Sequence, residues 1–413
     1  MVLVDNPYGI LRGDTEDPQL IAYPRDGIPE VISTVEALKD AAEKLSHSAM
    51  PLAVDVERAQ GFRYGSSPYL LQLRREDVGS FLIDTAELSD LKILQSSIEV
   101  PWILHDASQD LPNLRELGLR IPQLFDTQVA SRLVGLTHFG LSAVCEQILG
   151  LALLKDHQAA NWSVRPLPKD WLRYAVLDVE LLTALKDALE LRLEALGRLS
   201  WAQQEFSHIA EAAPPKPKKD RWRSIPGIGK LTSKRALAIA RELWFERDAI
   251  AQEIDLAPGR LVRNSGIIHA AQRPPRTRHN LLSIAEFRSP QTRRYADRFL
   301  AAVGRALVLP DNQLPPRHRK EDDEHTPSVR HWQRLRAEAH DLLLQVRDCV
   351  AQQAQHLEIS PEILLEPRIQ RALAWDYSQG EPMGPVDEYL TAQGARPWQV
   401  AIVAPELHQL LAG

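Results

Sequence analysis

The chain has 413 residues, 44% of them hydrophobic and 25% charged, enough material for two to four compact, soluble domains. Its start, MVLVDNPYGILRGD, lacks the basic region and apolar core of a secretory signal, and no apolar run approaches the roughly 18 residues of a membrane span, so a cytoplasmic protein without membrane contact is expected. The net charge of −6 conceals an asymmetry: residues 214–320 hold 23 basic against 9 acidic residues, net +14, and the remainder is net −20. A basic block inside an acidic protein points to a polyanionic partner for that block.

In chain order, residues 1–30 read as an N-terminal extension. The runs PLAVDVE (51–57), YLLQLR (69–74) and SFLID (80–84) read as a three-strand meander, with turn residues between them. LSDLKILQSSI then reads as a helix, PWILHD as a fourth strand and SQDLPNLRELGL as a helix after it. From Gln123 to about Ala212 the pattern is helical, with Leu172, Val176, Val179 and Leu182 at helical spacing. A Pro- and Lys-rich linker covers 213–221, a compact helical unit 222–310, and a charged linker 311–327. Residues 328–413 are helical again and loosely echo the preceding unit, so two copies of one helical module are expected. Cys145 and Cys349 lie far apart without metal-type spacing, which argues against a disulfide framework and against zinc; both read as packed small apolar residues.

The first strand carries a problem. Side chains alternate along a strand, so Asp55 and Glu57 project together from one face while Leu52, Val54 and Val56 occupy the other. At about 5 Å two such charges repel by roughly 3 kcal/mol at an effective dielectric near 20. A divalent cation shared with further carboxylates removes the difficulty. Asp110 stands near the start of a helix that follows a strand, and Asp178 follows Tyr174 by four residues, which puts phenol and carboxylate on one helix face. Four acids of this kind suit two Mg²⁺ or Mn²⁺ ions about 4 Å apart, the arrangement for phosphoryl transfer.

DVE at 55–57, HDASQD at 105–110 and YAVLD at 174–178 resemble, in order and spacing, the three exonuclease motifs of the tyrosine-bearing branch of the DEDD superfamily, and of the ribonuclease D family within it. The resemblance extends to LFDTQVASRLVG, GLSAVCEQILG and NWSVRPLPKDWLRYAVLDVELL, and so covers roughly residues 30–210. It implies an RNase H-like α/β 3′→5′ exonuclease domain at 31–212, acting on RNA 3′ ends such as those of tRNA precursors, with DNA as the alternative substrate and no obligate protein partner. A non-catalytic RNA-binding protein of the same fold is a second alternative, although its expected mark, a lost motif carboxylate, is absent. The two helical modules resemble the helicase-and-RNase-D C-terminal (HRDC) domain.

By the same resemblance, Asp55, Glu57 and Asp178 hold the cation that carries the attacking water, Asp55 reaches the second cation, and Asp110 assists it. Tyr174 orients the water and His105 supports the second motif. Arg58 departs from the family, which places an apolar residue there, and is read as a nucleic-acid contact. Lys230, Lys234, Arg235 and Arg241 are expected to track phosphates.

Nearby polar residues have plainer readings. Asp84 and Asp126 are expected as caps or turn acceptors, Asp106 as a decoy beside Asp110, and Gln72 as a satisfied buried amide. SIPGIGKLTSKRA (224–236) reads as a helix entrance, with a phosphate-gripping hairpin as the alternative.

Overall fold

The computed structural model describes residues 17–154, 160–213, 220–317, 329–380 and 384–412. Residues 1–16 of the extension, the Pro/Lys core of the first linker and residues 318–327 of the second lie outside the described residues.

The N-terminal half runs β1 (Gln19–Ile21), β2 (Val31–Ile32), α1 (Val35–Ser46), β3 (Leu52–Arg58), β4 (Pro68–Arg75), β5 (Gly79–Asp84), β6 (Pro101–Leu104), α2 (Ala107–Glu116), β7 (Gln123–Asp126), α3 (Thr127–Leu133), α4 (Leu141–Leu149), β8 (Leu151–Leu153), α5 (Lys169–Glu180), α6 (Leu182–Ala195) and α7 (Leu199–Glu211). Six strands form one sheet in the order β2–β5–β4–β3–β6–β7, antiparallel through the meander β3–β4–β5 and parallel at both flanks. Strand β3 is central, and its pleat sorts the residues. Val54 and Val56 face Leu73 and Leu71 across the ladder and enter the main core with α1, whereas Asp55 and Glu57 share the opposite face with Gln72 and Leu70. On that second face, Leu70 and Leu82 pack with Trp162 and with Ala175 and Val176 of α5. Apolar burial thus lays α5 over the carboxylates.

Three expectations need correction. Lys92–Ser97 is a short 3₁₀ helix, whose leading residue Leu91 offers no side-chain cap. The stretch 123–212 is interrupted by β7 and β8, four- and three-residue strands held by parallel partners rather than by any alternation of their own. The N-terminal extension is part of the fold: β1 pairs with β8, the Arg25 backbone N–H donates to Glu180, and Asp26 binds the buried Arg74.

The remaining helices form two groups. Residues 220–317 enclose their own core, built from Trp222, Leu243, Ile250, Ile267, Phe287 and Phe299 among others, around the long helix α8 (Lys234–Glu253). The PGIG stretch follows the 3₁₀ turn Arg221–Ser224 and runs into a second, Ile228–Lys230, ahead of α8, and Ser233 caps that helix by accepting from the Ala236 N–H. Residues 329–412 behave differently. Val346, Val350, Leu364, Leu373, Trp398 and Leu407 belong to the same continuous core as the sheet. Trp398 stacks on Trp201 of α7 at 4.8 Å, and the buried Glu205 accepts from Arg396 Nε and Trp398 Nε1, both at 2.7 Å. Gly135, at φ +92°, lies so close to this group that a Cβ there would stand 2.6 Å from the Glu358 carbonyl oxygen.

Candidate active site

Strand β3 delivers Asp55 and Glu57, and α5 delivers Asp178; carboxylate oxygens of the three lie within 4.8 Å of one another. Tyr174, one helical turn before Asp178, is hydrogen-bonded to it, and its ring packs 6.3 Å from that of the fully buried Trp162. Arg165 anchors the segment before α5 by forking onto Asp84 at 2.5 and 2.6 Å and donating to the Tyr69 carbonyl. Asp84 also accepts from the Ala86 N–H, which makes it a structural acceptor as its position indicates.

The second motif is built from the β6–α2 junction. Asp106 adopts the left-handed conformation (φ +62°), and its carboxylate is taken by Ser108 and Gln109. Asp126 ties the turn down: it accepts from the N–H groups of Asp106 and Ala107 and also caps α3 through Gln128 and Val129. His105 donates Nε2–H to the Phe139 carbonyl at 2.8 Å and meets Thr127 Oγ1 at Nδ1, also at 2.8 Å. Burial holds its pKa down to about 4, so the ring is neutral and the Thr127 hydroxyl donates to Nδ1. Both nitrogens are engaged within the scaffold; His105 positions the motif.

Asp110 stands apart from the trio. A register shift at Glu57/Arg58 bulges β3 against β4, and Arg58 reaches α2, where Nη1 meets Asp110 Oδ1 (2.7 Å), the Gln109 carbonyl (3.0 Å) and Asn113 Oδ1 (3.1 Å). The expected nucleic-acid contact is therefore an internal ion pair to a motif carboxylate. The charge balance of the site reflects this. Burial, and then mutual repulsion, raise Glu57 and Asp178 well above the usual carboxylate range; burial also raises Asp55, and Asp110 is pushed up to about 8 by burial and by Asp55. Arg58 opposes the shift at Asp55, Glu57 and Asp110. Burial and the neighbouring carboxylates also push the Tyr174 phenol upward, so it stays protonated and able to donate.

Hard oxygen donors crowded with no Lys or Arg among the described residues bound to Asp55, Glu57 or Asp178 fit a divalent cation, and the trio is suited to hold one. Gln72 corrects an expectation. It is fully buried directly across the ladder from Asp55, yet neither of its amide atoms has a hydrogen-bond partner among the described residues. Its cross-strand neighbours are Asp55, whose carboxylate belongs to the cluster, and the apolar Leu82.

The loop that follows Arg58 joins the site to the 220–317 unit. Tyr64 donates through its hydroxyl to Asp248 (3.0 Å) and through its backbone to Asp255 (3.1 Å), Phe62 accepts from the Ala257 N–H, and the Arg260 guanidinium lies 4.0 Å over the Phe62 ring. Arg63 bridges Ser163 and Asp255.

The four basic residues proposed from sequence divide. Lys230 and Lys234 are exposed at the entrance of α8. Arg235 instead donates to the Ala306 and Leu309 carbonyls and to Asp311, fastening the end of the helix Ala296–Val308, and Arg241 pairs with Glu242 at 3.2 Å. Sequence reasoning passed over the exposed Arg273, Arg276 and Arg294, although RPPRTR and QTRR mark them as a local excess of positive charge.

A mixed sheet with Asp, Glu, Asp and Tyr at one mouth defines a 3′→5′ exonuclease fold of the RNase H-like class. A family model described as 3′-5′ exonuclease matches residues 29–194, an HRDC domain model matches 236–303, and a model described as 3′ to 5′ exonuclease C-terminal domain matches 325–411. The chain belongs to the ribonuclease D family. It is 28% identical over 313 residues to the ribonuclease D of Gluconacetobacter diazotrophicus, covering 73% of this chain and 78% of that one. Among solved structures, a protein from Bifidobacterium adolescentis is 37% identical with a TM-score of 0.87, covering 96% of this chain and 100% of that chain. Escherichia coli RNase D, at 24% identity and a TM-score of 0.65 over 93% of this chain and 98% of that one, has the same fold. Among the described residues, no helix is long and apolar enough to cross a membrane.

Proposed function

We propose that the chain is a 3′→5′ exoribonuclease that removes nucleoside 5′-monophosphates from the 3′ tails of structured RNA precursors, tRNA precursors among them. The observation that carries this reading is the Asp55, Glu57 and Asp178 cluster with Tyr174 bonded to its edge. Two divalent cations, Mg²⁺ or Mn²⁺, are assigned to the site: Asp55, Glu57 and Asp178 would hold one, and Asp55 with Asp110 would hold the other. Bound, they would supply Lewis-acid stabilisation of the charge that builds on the phosphate and on the leaving 3′-oxygen.

The protein's own groups do the rest. Tyr174, protonated and fixed by Trp162, orients the attacking water through its hydroxyl. His105 and Asp126 hold the turn that presents Asp110. Exposed Lys230, Lys234, Arg273, Arg276 and Arg294 supply positive charge that the acidic catalytic half lacks, and so track the phosphates of the incoming strand. Kinship to enzymes named ribonuclease D supports RNA over DNA.

The test is a matched pair of RNA and DNA oligonucleotides, end-labelled and incubated with wild type and Asp55→Asn in Mg²⁺ and in Mn²⁺. Stepwise shortening of the RNA from its 3′ end, abolished by Asp55→Asn, is expected. Equal shortening of DNA would move the substrate class, and full activity of Asp55→Asn at saturating Mg²⁺ would remove the metal assignment.

A further inference from the structure

The Arg58–Asp110 pair has no place in the mechanism above, which needs the Asp110 carboxylate for a cation. Arg58 has only 19% of its side chain exposed and Asp110 5%, so the contact is a built one rather than a chance surface pair. Its surroundings are fixed as well. Asn113, 3% exposed, accepts from the same Nη1 and donates through Nδ2 to the Ser66 carbonyl, which links the pair to the loop clamped by Tyr64 and Arg260. The bulge at Glu57/Arg58 brings the guanidinium to this side of the strand.

Two features show that the pairing is exchangeable. A guanidinium has five N–H donors, and here only Nη1 is engaged: Nη2 and Nε make no hydrogen bond to any described residue and are not sealed from solvent. That free edge is the planar fork that matches a phosphate. In addition, Arg58 holds the carboxylate through Oδ1, and a divalent ion brought to the same carboxylate repels the guanidinium with twice the force of two unit charges.

We propose that Arg58 is a positioning residue that occupies the second-cation position: it holds the Asp110 carboxylate in the cation-poor enzyme and releases it when a nucleic-acid phosphate offers the guanidinium another partner. The inference rests on the two-cation reading given above. Its consequence is an order of events. The first cation site, with no arginine among the described residues bound to its three carboxylates, fills in the free enzyme; the second becomes available with the substrate strand in place, so the full charge needed for cleavage is assembled only around a nucleic acid.

The test is a Mn²⁺ titration followed by calorimetry and by the spin-resonance signal of free Mn²⁺, at mildly alkaline pH so that protons do not compete for the carboxylates. It uses wild type, Arg58→Met, Arg58→Lys and Asp110→Asn, each with and without a cleavage-resistant phosphorothioate RNA oligomer. Wild type should bind one ion tightly alone and two with the oligomer. Arg58→Met should bind the second ion at least about 10-fold more tightly than wild type in the absence of RNA, while Arg58→Lys, which keeps the charge, should return to the wild-type pattern. Asp110→Asn should bind one ion throughout. Two ions of equal affinity on RNA-free wild type, or an unchanged second affinity in a folded Arg58→Met, would overturn the proposal. Failure of wild type to bind any Mn²⁺ would instead overturn the metal reading itself, and the two failures are therefore distinguishable.

Discussion

The two helical units after the sheet are attached by different physics. Residues 329–412 join the catalytic unit through apolar burial: one core runs from Leu52 and Trp102 to Val350, Leu373 and Leu407, and the Trp201–Trp398 stack and Glu205–Arg396 pair sit inside the seam. Residues 220–317 have a separate core and meet the catalytic unit through the loop 59–66, mostly by hydrogen bonds and one cation–π contact, with Tyr64 packed at the edge. Apolar burial is non-directional and makes two segments one cooperative unit. Polar contacts at exposed sites contribute little stability but fix position. The first unit completes the fold; the second holds the loop that leaves the active-site strand.

The largest expected effect follows from the shared core. A chain ended at Arg317 should fail to fold, because it exposes the sheet-side half of that core, whereas a chain in which 220–317 is replaced by a Gly/Ser bridge should retain a cooperative thermal transition. Circular dichroism melts of the two would reverse the comparison if the outcomes were exchanged. Glu205→Ala comes next. It leaves Arg396 and Trp398 Nε1 buried without their acceptor, and urea denaturation should report a loss of about 3–5 kcal/mol.

Acid separates the units by sign. Burial and repulsion raise the carboxyls of Asp55, Glu57, Asp110 and Asp178 in the folded state, and burial raises Asp126 to about 6. Such groups bind protons when folded before they do so when unfolded, so the metal-free catalytic unit should gain stability as pH falls from about 8. His105, held down to about 4 by burial, works the other way only once the unfolded imidazole begins to titrate, near its ordinary value of about 6.5. The interval from about pH 8 down to about 7.5, roughly a full unit above that value, is therefore nearly free of the opposing effect. In the 220–317 unit, burial of Glu246 is outweighed by Arg305 and Arg298, which leave its carboxyl below the usual range, so that unit should lose stability in acid. Calorimetry in EDTA should show the two trends; saturating Mg²⁺ should abolish the first.

Asp248→Ala removes the acceptor of the Tyr64 hydroxyl. Its stability cost should stay below about 1 kcal/mol, yet kcat should fall, because the loop it steadies begins one residue after Arg58. An unchanged kcat would mean that the 220–317 unit holds nucleic acid without positioning the site. The smallest effect on the fold is expected from Arg273, Arg276 and Arg294 changed together to Ala: no shift in melting, but a slope of log K against log salt on single-stranded RNA flatter by about 2.

The meander and the order of the site residues were legible because both are local. Alternation in LAVDVE and LLQLR marks the strands, and Tyr174 and Asp178 share a helix turn whatever the tertiary context. What escaped was non-local. Strands β1 and β8 are three residues each and exist because they pair across about 130 positions of chain, and β7 depends on β6 in the same way. The fates of Arg58 and Arg235 were illegible for a related reason: a sequence shows their charge, but the Asp110 carboxylate and the Ala306 carbonyl that capture them are set by packing. Nor does helical periodicity say whose core a helix enters, which is why two units of similar pattern proved to be joined to the sheet so differently.

The long reach of the shared core has a consequence for the order of synthesis. Its seam closes between residues 198–209 and 357–407, so the ribosome makes the whole 220–317 unit before the catalytic unit can be completed. At about 5–20 residues per second that interval lasts on the order of ten to thirty seconds, during which the sheet-side apolar surface stays open while the intervening unit is already able to fold. The nascent chain should therefore be unable to degrade RNA near its own ribosome until its final long helix, Pro397–Ala412, has emerged, and ribosome-bound chains arrested before residue 329 should show no exonuclease activity.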